Sequence, residues 1–158
     1  MKNTALLTSI LLLCACFIAC SKGNDKLTPT LRSSVTFSAK DSFINFPVGI
    51  VFIQDVVNVH TTLISGKYED SSSRRGNISI RVIGDTTGRY HGDSVQLTYT
   101  NAAGTIWTNT KDTGNFVQIN TFAKTADGLV NGAFRCKVYN GKDSILLSNG
   151  ALVAFYQD

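Results

Sequence analysis

Apolar and polar residues alternate over short runs from Ser34 onward, and no helical period of convincing length interrupts them. Ile78, Ile80 and Val82 fall on one side of the chain, with polar residues between them. This period of two is typical of strands that bury one face. Further runs of β-branched or aromatic residues occupy 35–39, 43–46, 49–53, 61–68, 95–99, 105–108, 116–123, 129–139, 144–147 and 151–156.

Turn-forming residues separate these runs. Asn140-Gly141 is the preferred dipeptide of a type I′ hairpin, because both central residues of that turn need positive φ. Other clusters of Gly, Asp, Asn and Thr lie at 84–88, 92–93, 111–115 and 126–128. Turns at this spacing predict an all-β domain, an antiparallel β-sandwich of roughly 8–10 strands. A closed or partly open, calycin-like barrel is the alternative.

The run at 49–53 departs from alternation, because it is apolar on both faces. A strand that is buried on both sides has this pattern. In a barrel, one of the two faces could line a cavity for an apolar ligand.

The N-terminus has the three parts of an export signal. Lys2 supplies a positive charge, Ala5 to Ile18 is almost entirely apolar, and the small residue Ala19 precedes Cys20. The apolar stretch is shorter than the roughly 20 residues of a membrane-spanning helix. Ala19-Cys20 resembles a lipobox, where a signal peptidase cleaves once the cysteine sulfur carries diacylglycerol. Cys20 is therefore predicted to be the lipid-bearing first residue of the mature chain.

Two alternatives to lipidation at Cys20 stay open. Leu13-Cys14-Ala15-Cys16 fits the local lipobox pattern better, since Phe17 stands where leucine is commoner. Cleavage there would leave apolar Phe17-Ile18 beside the lipid, whereas polarity switches at Cys20. An ordinary secretory signal or an uncleaved anchor is the second alternative.

The predicted organisation is a signal-peptide helix at 1–19, a flexible tether at 20–33 and a single β domain at 34–158. The tether is polar, contains Pro29 and shows no periodicity. We expect anchoring to the outer membrane through the lipid on Cys20, on the periplasmic side or at the cell surface. The residues after Cys20 lack a strongly acidic stretch of the kind that resembles a surface-export signal, which favours the periplasmic leaflet.

Five stretches of the domain, in this order, resemble an uncharacterised all-β domain family of Bacteroidota lipoproteins. They are Leu63-Ile64-Ser65-Gly66, Gly88-Arg89-Tyr90, Gly114 to Asn120, Asp127 to Phe134 and Ser148 to Val153. The resemblance spans roughly 35–156 and fails at Ser71 to Gly76, which does not align. It implies fold and location, with the matched glycines and aromatics as scaffold, and it implies no activity.

Composition narrows the function further. The chain has 158 residues, 43% hydrophobic and 16% charged, and a net charge of +4. Its positive charges are scattered, with the densest cluster at Arg74-Arg75, so nucleic acid is not the expected partner. Cys136 is the only cysteine of the domain, which excludes a disulfide within it. Its strand parity with Phe134 and Val138 predicts a small buried hydrophobe rather than a reactive thiol.

The residues that could carry chemistry form no recognisable site. His60 and His91 are the only histidines, and the sequence has no zinc or calcium signature. His91-Gly92-Asp93, with Asp85 upstream, comes nearest to a metal site and is interpreted as a polar turn. No nucleophile elbow, phosphate loop or dinucleotide fingerprint is present. We therefore expect no catalytic residue, no metal and no cofactor.

Trp107 is the one candidate ligand-binding residue. Thr105 and Asn109 alternate with it, so an exposed ring here could stack on a sugar or another apolar ligand. A core or rim aromatic that seals one end of the sandwich is the preferred interpretation.

The predicted role is that of an envelope lipoprotein and a non-enzymatic binding or accessory module. A glycan, a peptide or another envelope protein could be its partner, in addition to the membrane that holds the lipid. The alternatives are a carrier of an apolar small molecule in a barrel cavity and a purely structural envelope protein.

Overall fold

The computed structural model describes residues 32–56, 59–68, 75–112 and 114–157. The predicted signal peptide, Cys20 and most of the predicted tether lie outside these residues. Arg32 to Asp158 forms one compact unit.

The described residues form eleven strands and one short 3-10 turn, η1 (Gly92–Ser94). The strands are β1 (Ser34–Ala39), β2 (Ser42–Phe46), β3 (Val48–Val56), β4 (Val59–Lys67), β5 (Asn77–Ile83), β6 (Gly88–His91), β7 (Val95–Thr100), β8 (Ile106–Asn109), β9 (Phe116–Phe122), β10 (Leu129–Tyr139) and β11 (Ser144–Tyr156).

All strands belong to one mixed sheet, in the order β2-β1-β11-β3-β4-β5-β7-β8-β10-β9-β6, and β11 also pairs with β10. This extra pairing closes β3-β4-β5-β7-β8-β10-β11 into a ring, from which β1-β2 and β9-β6 extend. The parallel pair β11–β3 makes the sheet mixed, since the other strand pairings are antiparallel. The all-β prediction is confirmed, and the sheet has features of both a sandwich and a barrel.

The core combines buried residues of the ring strands with those of β1, β2 and β9, and it follows from the alternation. Ile78, Ile80 and Val82 are fully or almost fully buried, as their pattern predicts. Phe37 occupies the centre. Its ring centroid lies 5.2 Å from that of Tyr99 and 5.9 Å from that of Phe134, both in edge-to-face contact. Large buried aromatics contribute the most apolar area to a core of this kind.

Strand number and boundaries differ from the prediction in two places. β6 was predicted as part of a turn region, but it pairs with β9 as a short edge strand. The two predicted runs 144–147 and 151–156 form the single strand β11. Asn149 has φ of 51°, and the ladder registers shift nearby, so Asn149-Gly150 forms a bulge rather than a turn.

The hairpin predicted at Asn140-Gly141 is present, but the predicted type I′ turn is wrong. Tyr139 pairs with Ser144, so four residues form the loop. Gly141 has positive φ and Asn140 does not. The Asn140 side-chain oxygen instead accepts hydrogen bonds from the backbone N–H groups of Lys142 (3.0 Å) and Asp143 (2.8 Å). A side-chain turn replaces the backbone geometry that the dipeptide favours.

The apolar pattern of β3 predicted burial on both sides of the strand, and this prediction is wrong. Val51 is fully buried in the core, whereas Phe52 is 38% exposed on the outer face of the sheet. The second apolar face of this strand therefore meets solvent and lines no interior cavity at Phe52.

Cys136 is a buried free thiol, which confirms its predicted role as a small hydrophobe. Its Sγ lies 3.9 Å from the Phe116 carbonyl oxygen, as a weak donor. Burial raises the pKa of the thiol from 9.0 to about 12, because the thiolate would lie in an apolar core.

This pKa shift predicts a loss of stability in alkali. The unfolded thiol ionises near its ordinary value and the folded thiol near 12, so the unfolded state loses its proton first. The contribution of Cys136 to the free energy of unfolding is complete below about pH 9 and declines between about pH 9 and about pH 12.

The measurement is urea unfolding of the wild type and Cys136→Ala across that pH range under reducing conditions. At neutral pH we expect the variant to be less stable by about 1 kcal/mol, through the lost packing. This difference should shrink as the pH rises. A difference that stays constant up to about pH 11 would contradict the assignment of the shift to Cys136.

Candidate functional site

The ring of strands bends at β8, and we call this bend the corner. β8 is only four residues long and pairs with both β7 and β10. Thr98, Tyr99 and Thr100 of β7 pair with Thr108, Trp107 and Ile106. At its other end β8 pairs with β10, through Asn109 to Val138 and Thr108 to Tyr139. A strand that passes from one partner to another leaves backbone groups without ladder partners at the crossing point.

Asn109 fills this gap with its side-chain amide. Its Oδ1 accepts a hydrogen bond from the Leu97 backbone N–H at 2.6 Å. Its Nδ2 donates to the Val95 carbonyl at 2.9 Å. The amide thus continues the β7 ladder beyond the last residue pair, at the point where β8 bends away.

Asn115 performs the same task on the other side of the corner, and only 2% of it is exposed. Its Oδ1 accepts from the Lys137 N–H of β10 at 2.7 Å, and its Nδ2 donates to the Thr110 carbonyl at 3.1 Å. The two asparagines hold both ends of residues 110–115, which we call the corner loop. Thr113 in this loop lies outside the described residues.

A cleft of about 320 Å³ opens between the corner loop and η1, and we call it the polar cleft. Lys111 reaches from the corner loop to Asp93 of η1, with Nζ 3.0 Å from Oδ1. Both side chains are largely exposed, so this ion pair contributes little to stability. The lining residues are Gly92, Asp93, Val95, Gln96, Asn109, Thr110 and Lys111.

A smaller hollow of about 70 Å³ adjoins the polar cleft and shares Asp93 and Gln96 with it. Arg81, Ile83 and Ser94 complete the lining of this hollow. The two hollows together place the Gln96 amide, the Asp93 carboxylate and the Arg81 guanidinium along one outer surface of the sheet.

The groups of the polar cleft are suited to hydrogen bonding. The Asn109 amide is used by the backbone, but Gln96 is exposed and presents a free amide. Thr110 adds an exposed hydroxyl. None of the described residues that line this cleft is a histidine or a cysteine. The arrangement can bind a polar molecule through hydrogen bonds.

Trp107, the predicted ligand-binding residue, faces inward and is only 7% exposed. Stacking on a ligand requires an open ring face, which this burial removes, so the core interpretation is the correct one. The outward position in β8 belongs to Ile106, which is 59% exposed. The Trp107 indole N–H has no hydrogen-bond partner among the described residues.

The structure does not gather the residues weighed as metal ligands. His91 lies exposed at the end of β6, and Asp93 pairs with Lys111. Asp85 pairs with Lys124 at 2.6 Å, and this hydrogen bond lowers the pKa of the carboxyl. Within the described ranges, no group of three or more His, Cys, Asp or Glu side chains is close enough to hold a metal ion.

Sequence reasoning did not find the polar cleft. Its lining comes from 92–96 and 109–111, two stretches that only the β7–β8 pairing brings together. Asn109 and Asn115 flank a recognised turn cluster, but residue type alone does not distinguish an amide that bridges strands from one that caps a turn.

Comparison with protein-family models, curated proteins and solved structures finds no match to this chain. The part of the chain that the structure describes contains no helix that is long and apolar enough to cross a membrane.

Replacing Asn109 by alanine should destabilise the domain by about 1–3 kcal/mol, because it leaves the Leu97 N–H and the Val95 carbonyl without partners. Urea unfolding measures the loss, and hydrogen exchange at the Leu97 amide locates it. Asn120→Ala, at an exposed position of β9, is the matched control and should change stability by less than about 0.5 kcal/mol. Equal effects of the two substitutions would show that the Asn109 amide does not hold the corner.

Proposed function

We propose that this chain is an exported, lipid-anchored and non-enzymatic binding module that holds a neutral, hydroxylated ligand of the sugar type in the polar cleft. The polar cleft itself is the observation that carries the proposal. Its volume of about 320 Å³ lies near the lower end of small-molecule sites, which span roughly 300–1,000 Å³.

The chemistry of the lining supports a neutral ligand. Asp93 and Lys111 neutralise each other across the cleft, which leaves no uncompensated charge among the residues that line it. Gln96 and Thr110 supply a donor and acceptor pair and a hydroxyl, while Val95 adds apolar surface. Sugars present hydroxyl groups and apolar C–H faces together, and this lining matches both.

The rigidity of the frame supports binding as the role of the cleft. Asn109 and Asn115 anchor the corner loop to β7 and β10 before any ligand arrives. A site that is already ordered loses less conformational entropy when it binds, so affinity benefits.

The export signal and the resemblance to Bacteroidota lipoproteins support the location. In this proposal 1–19 directs export, Cys20 carries the lipid at the outer membrane, and 20–33 separates the membrane from the β domain. The carrier alternative has lost its motivating feature, because Phe52 faces solvent and the interior contains Phe37, Phe134 and Tyr99.

Lipidation is tested by expressing the chain in a bacterium that processes lipoproteins and feeding it an alkyne-labelled fatty acid. The wild type should incorporate the label, and Cys20→Ala should lose it. Cys16→Ala is the matched control and should keep the label. Label that depends on Cys16 and survives in Cys20→Ala would move the cleavage site to the earlier lipobox.

Ligand binding is tested with the full-length protein in detergent on an array of neutral mono- and oligosaccharides. The double variant Gln96→Ala/Thr110→Val should weaken binding about tenfold or more, because each lost hydrogen bond contributes about 0.5–1.5 kcal/mol. Asn45→Ala, at an exposed position of β2, is the control and should bind as the wild type does. An array without any neutral ligand, or equal binding by the double variant, would overturn the assignment of the cleft.

A further inference from the structure

A second surface lies on the other side of the corner loop, on the outer faces of β6, β9 and β10. Arg135 of β10 pairs in register with Phe116 of β9, and Phe116 pairs with His91 of β6. Arg89 lies on β6 and Lys137 on β10. We call the surface formed by Arg89, Phe116, Arg135 and Lys137 the basic face.

Two of its cations form cation–π contacts with aromatic rings. The Arg89 guanidinium lies 3.9 Å from the centroid of the Phe116 ring. The Lys137 ammonium lies 5.4 Å from the centroid of the Tyr139 ring. Such contacts orient a cation without neutralising its charge, so the positive groups stay available to an external anion.

Positive charge is in excess among the described residues of this surface. Among the described residues, Arg89, Arg135 and Lys137 form no ion pair, and the pairs that exist join Lys111 to Asp93 and Lys124 to Asp85. Their clustering on neighbouring strands creates a local positive field.

A shallow cleft of about 280 Å³ opens between Arg135 and Lys137, beside the corner loop. Asp112 is its one acidic lining residue, and its Oδ1 accepts a hydrogen bond from the Gly114 N–H at 2.8 Å. The lining has two cations and one carboxylate, so it keeps a net positive charge and favours an anionic group.

The spacing of the cations points to a chain of anions rather than a single one. Arg135 and Lys137 are two residues apart on one strand, which places their Cα atoms about 7 Å apart. β6 lies two strands away from β10, a distance of about 10 Å. A polymer with repeated charges can contact all three cations where they stand, whereas a single phosphate or carboxylate would require the three side chains to converge on one point.

We propose that the basic face binds an acidic polysaccharide, whose carboxylate, sulfate or phosphate groups contact Arg135, Lys137 and Arg89. This site shares no residue with the polar cleft and does not depend on the proposed function of that cleft.

Other polyanions fit this surface less well. An acidic peptide that added a strand would pair with the edge of β6, and β10 lies two strands inward from that edge. An anionic membrane favours exposed apolar side chains beside the cations, but Leu146 is the one large exposed hydrophobic residue of the adjoining cleft. Single-stranded nucleic acid stacks on open aromatic rings, and Arg89 covers Phe116.

The test measures binding of the full-length protein, in neutral detergent, to immobilised alginate and dextran sulfate, with uncharged dextran as the reference. The wild type should bind both acidic polymers and not dextran, and the affinity should fall as salt is raised. The double variant Arg135→Gln/Lys137→Gln should bind about tenfold more weakly or worse, because it removes two of the three cations that contact the polymer.

The matched control is Lys67→Gln/Arg75→Gln, which removes the same charge from exposed positions near β4 and β5. It should retain binding within about threefold, and both double variants should keep the thermal midpoint of the wild type. The Gln96→Ala/Thr110→Val variant should also retain binding to the acidic polymers. Failure of the proposed sugar site in the polar cleft and failure of the proposed anion site on the basic face are therefore distinguishable. Equal losses in the two charge variants would overturn the proposal, as would absence of binding to the acidic polymers. Tighter binding to vesicles of phosphatidylglycerol or to single-stranded DNA would also overturn it.

Discussion

The pairing of β10 with β11 is the constraint on which the rest of the structure depends. These two strands are the longest in the described chain, and together they form a two-stranded ribbon. This ribbon belongs to the ring and also carries the extensions β1-β2 and β9-β6. One end of β11 pairs in parallel with β3, and the opposite end of the ribbon pairs with β8 through β10. The register shift between Phe134 and Cys136, opposite Asn149-Gly150, bends the ribbon between those ends. A bulge bends its strand and increases the local twist, which favours the closure of a sheet on itself.

Closing the sheet creates a corner, and asparagine amides satisfy the backbone there. Asn109 and Asn115 replace ladder hydrogen bonds where β8 leaves one neighbour and joins the next. Both amides tie residues distant in sequence, such as Asn115 and Lys137, into one framework. The corner loop between them is consequently a short, anchored segment with a hollow on each side. This geometry connects the fold to the proposed binding surfaces, because it holds their side chains on regular strands.

The two surfaces beside the corner loop differ in electrostatics. On one side, Asp93 neutralises Lys111, and the hollow offers mainly hydrogen-bonding groups. On the other side, Arg135 and Lys137 face solvent without an ion pair to a described residue, and the surface favours anions. A chain that is anchored near an envelope polymer could use both surfaces on the same glycan, the first for neutral sugar rings and the second for charged groups. The proposed lipid on Cys20 would keep the domain close to such a polymer and raise its effective concentration.

Period-two alternation and turn residues act locally, so they were sufficient to predict the all-β class, the buried faces of most strands and the burial of Cys136. The sequence also predicts an export signal at 1–19 and a lipid on Cys20, and these residues lie outside the described structure. Local patterns gave wrong predictions where contacts between distant residues determine burial. The pattern of β3 predicted burial of both faces, yet Phe52 is exposed to solvent. The runs 144–147 and 151–156 read as separate strands, yet they form the single strand β11 with a bulge at Asn149-Gly150. The closure of the sheet and the cleft shared by 92–96 and 109–111 could not be predicted from local patterns, and the inward position of Trp107 was preferred over exposure without being settled. These features depend on which strands pair, and pairing partners are set by packing across the whole core rather than by neighbouring residues.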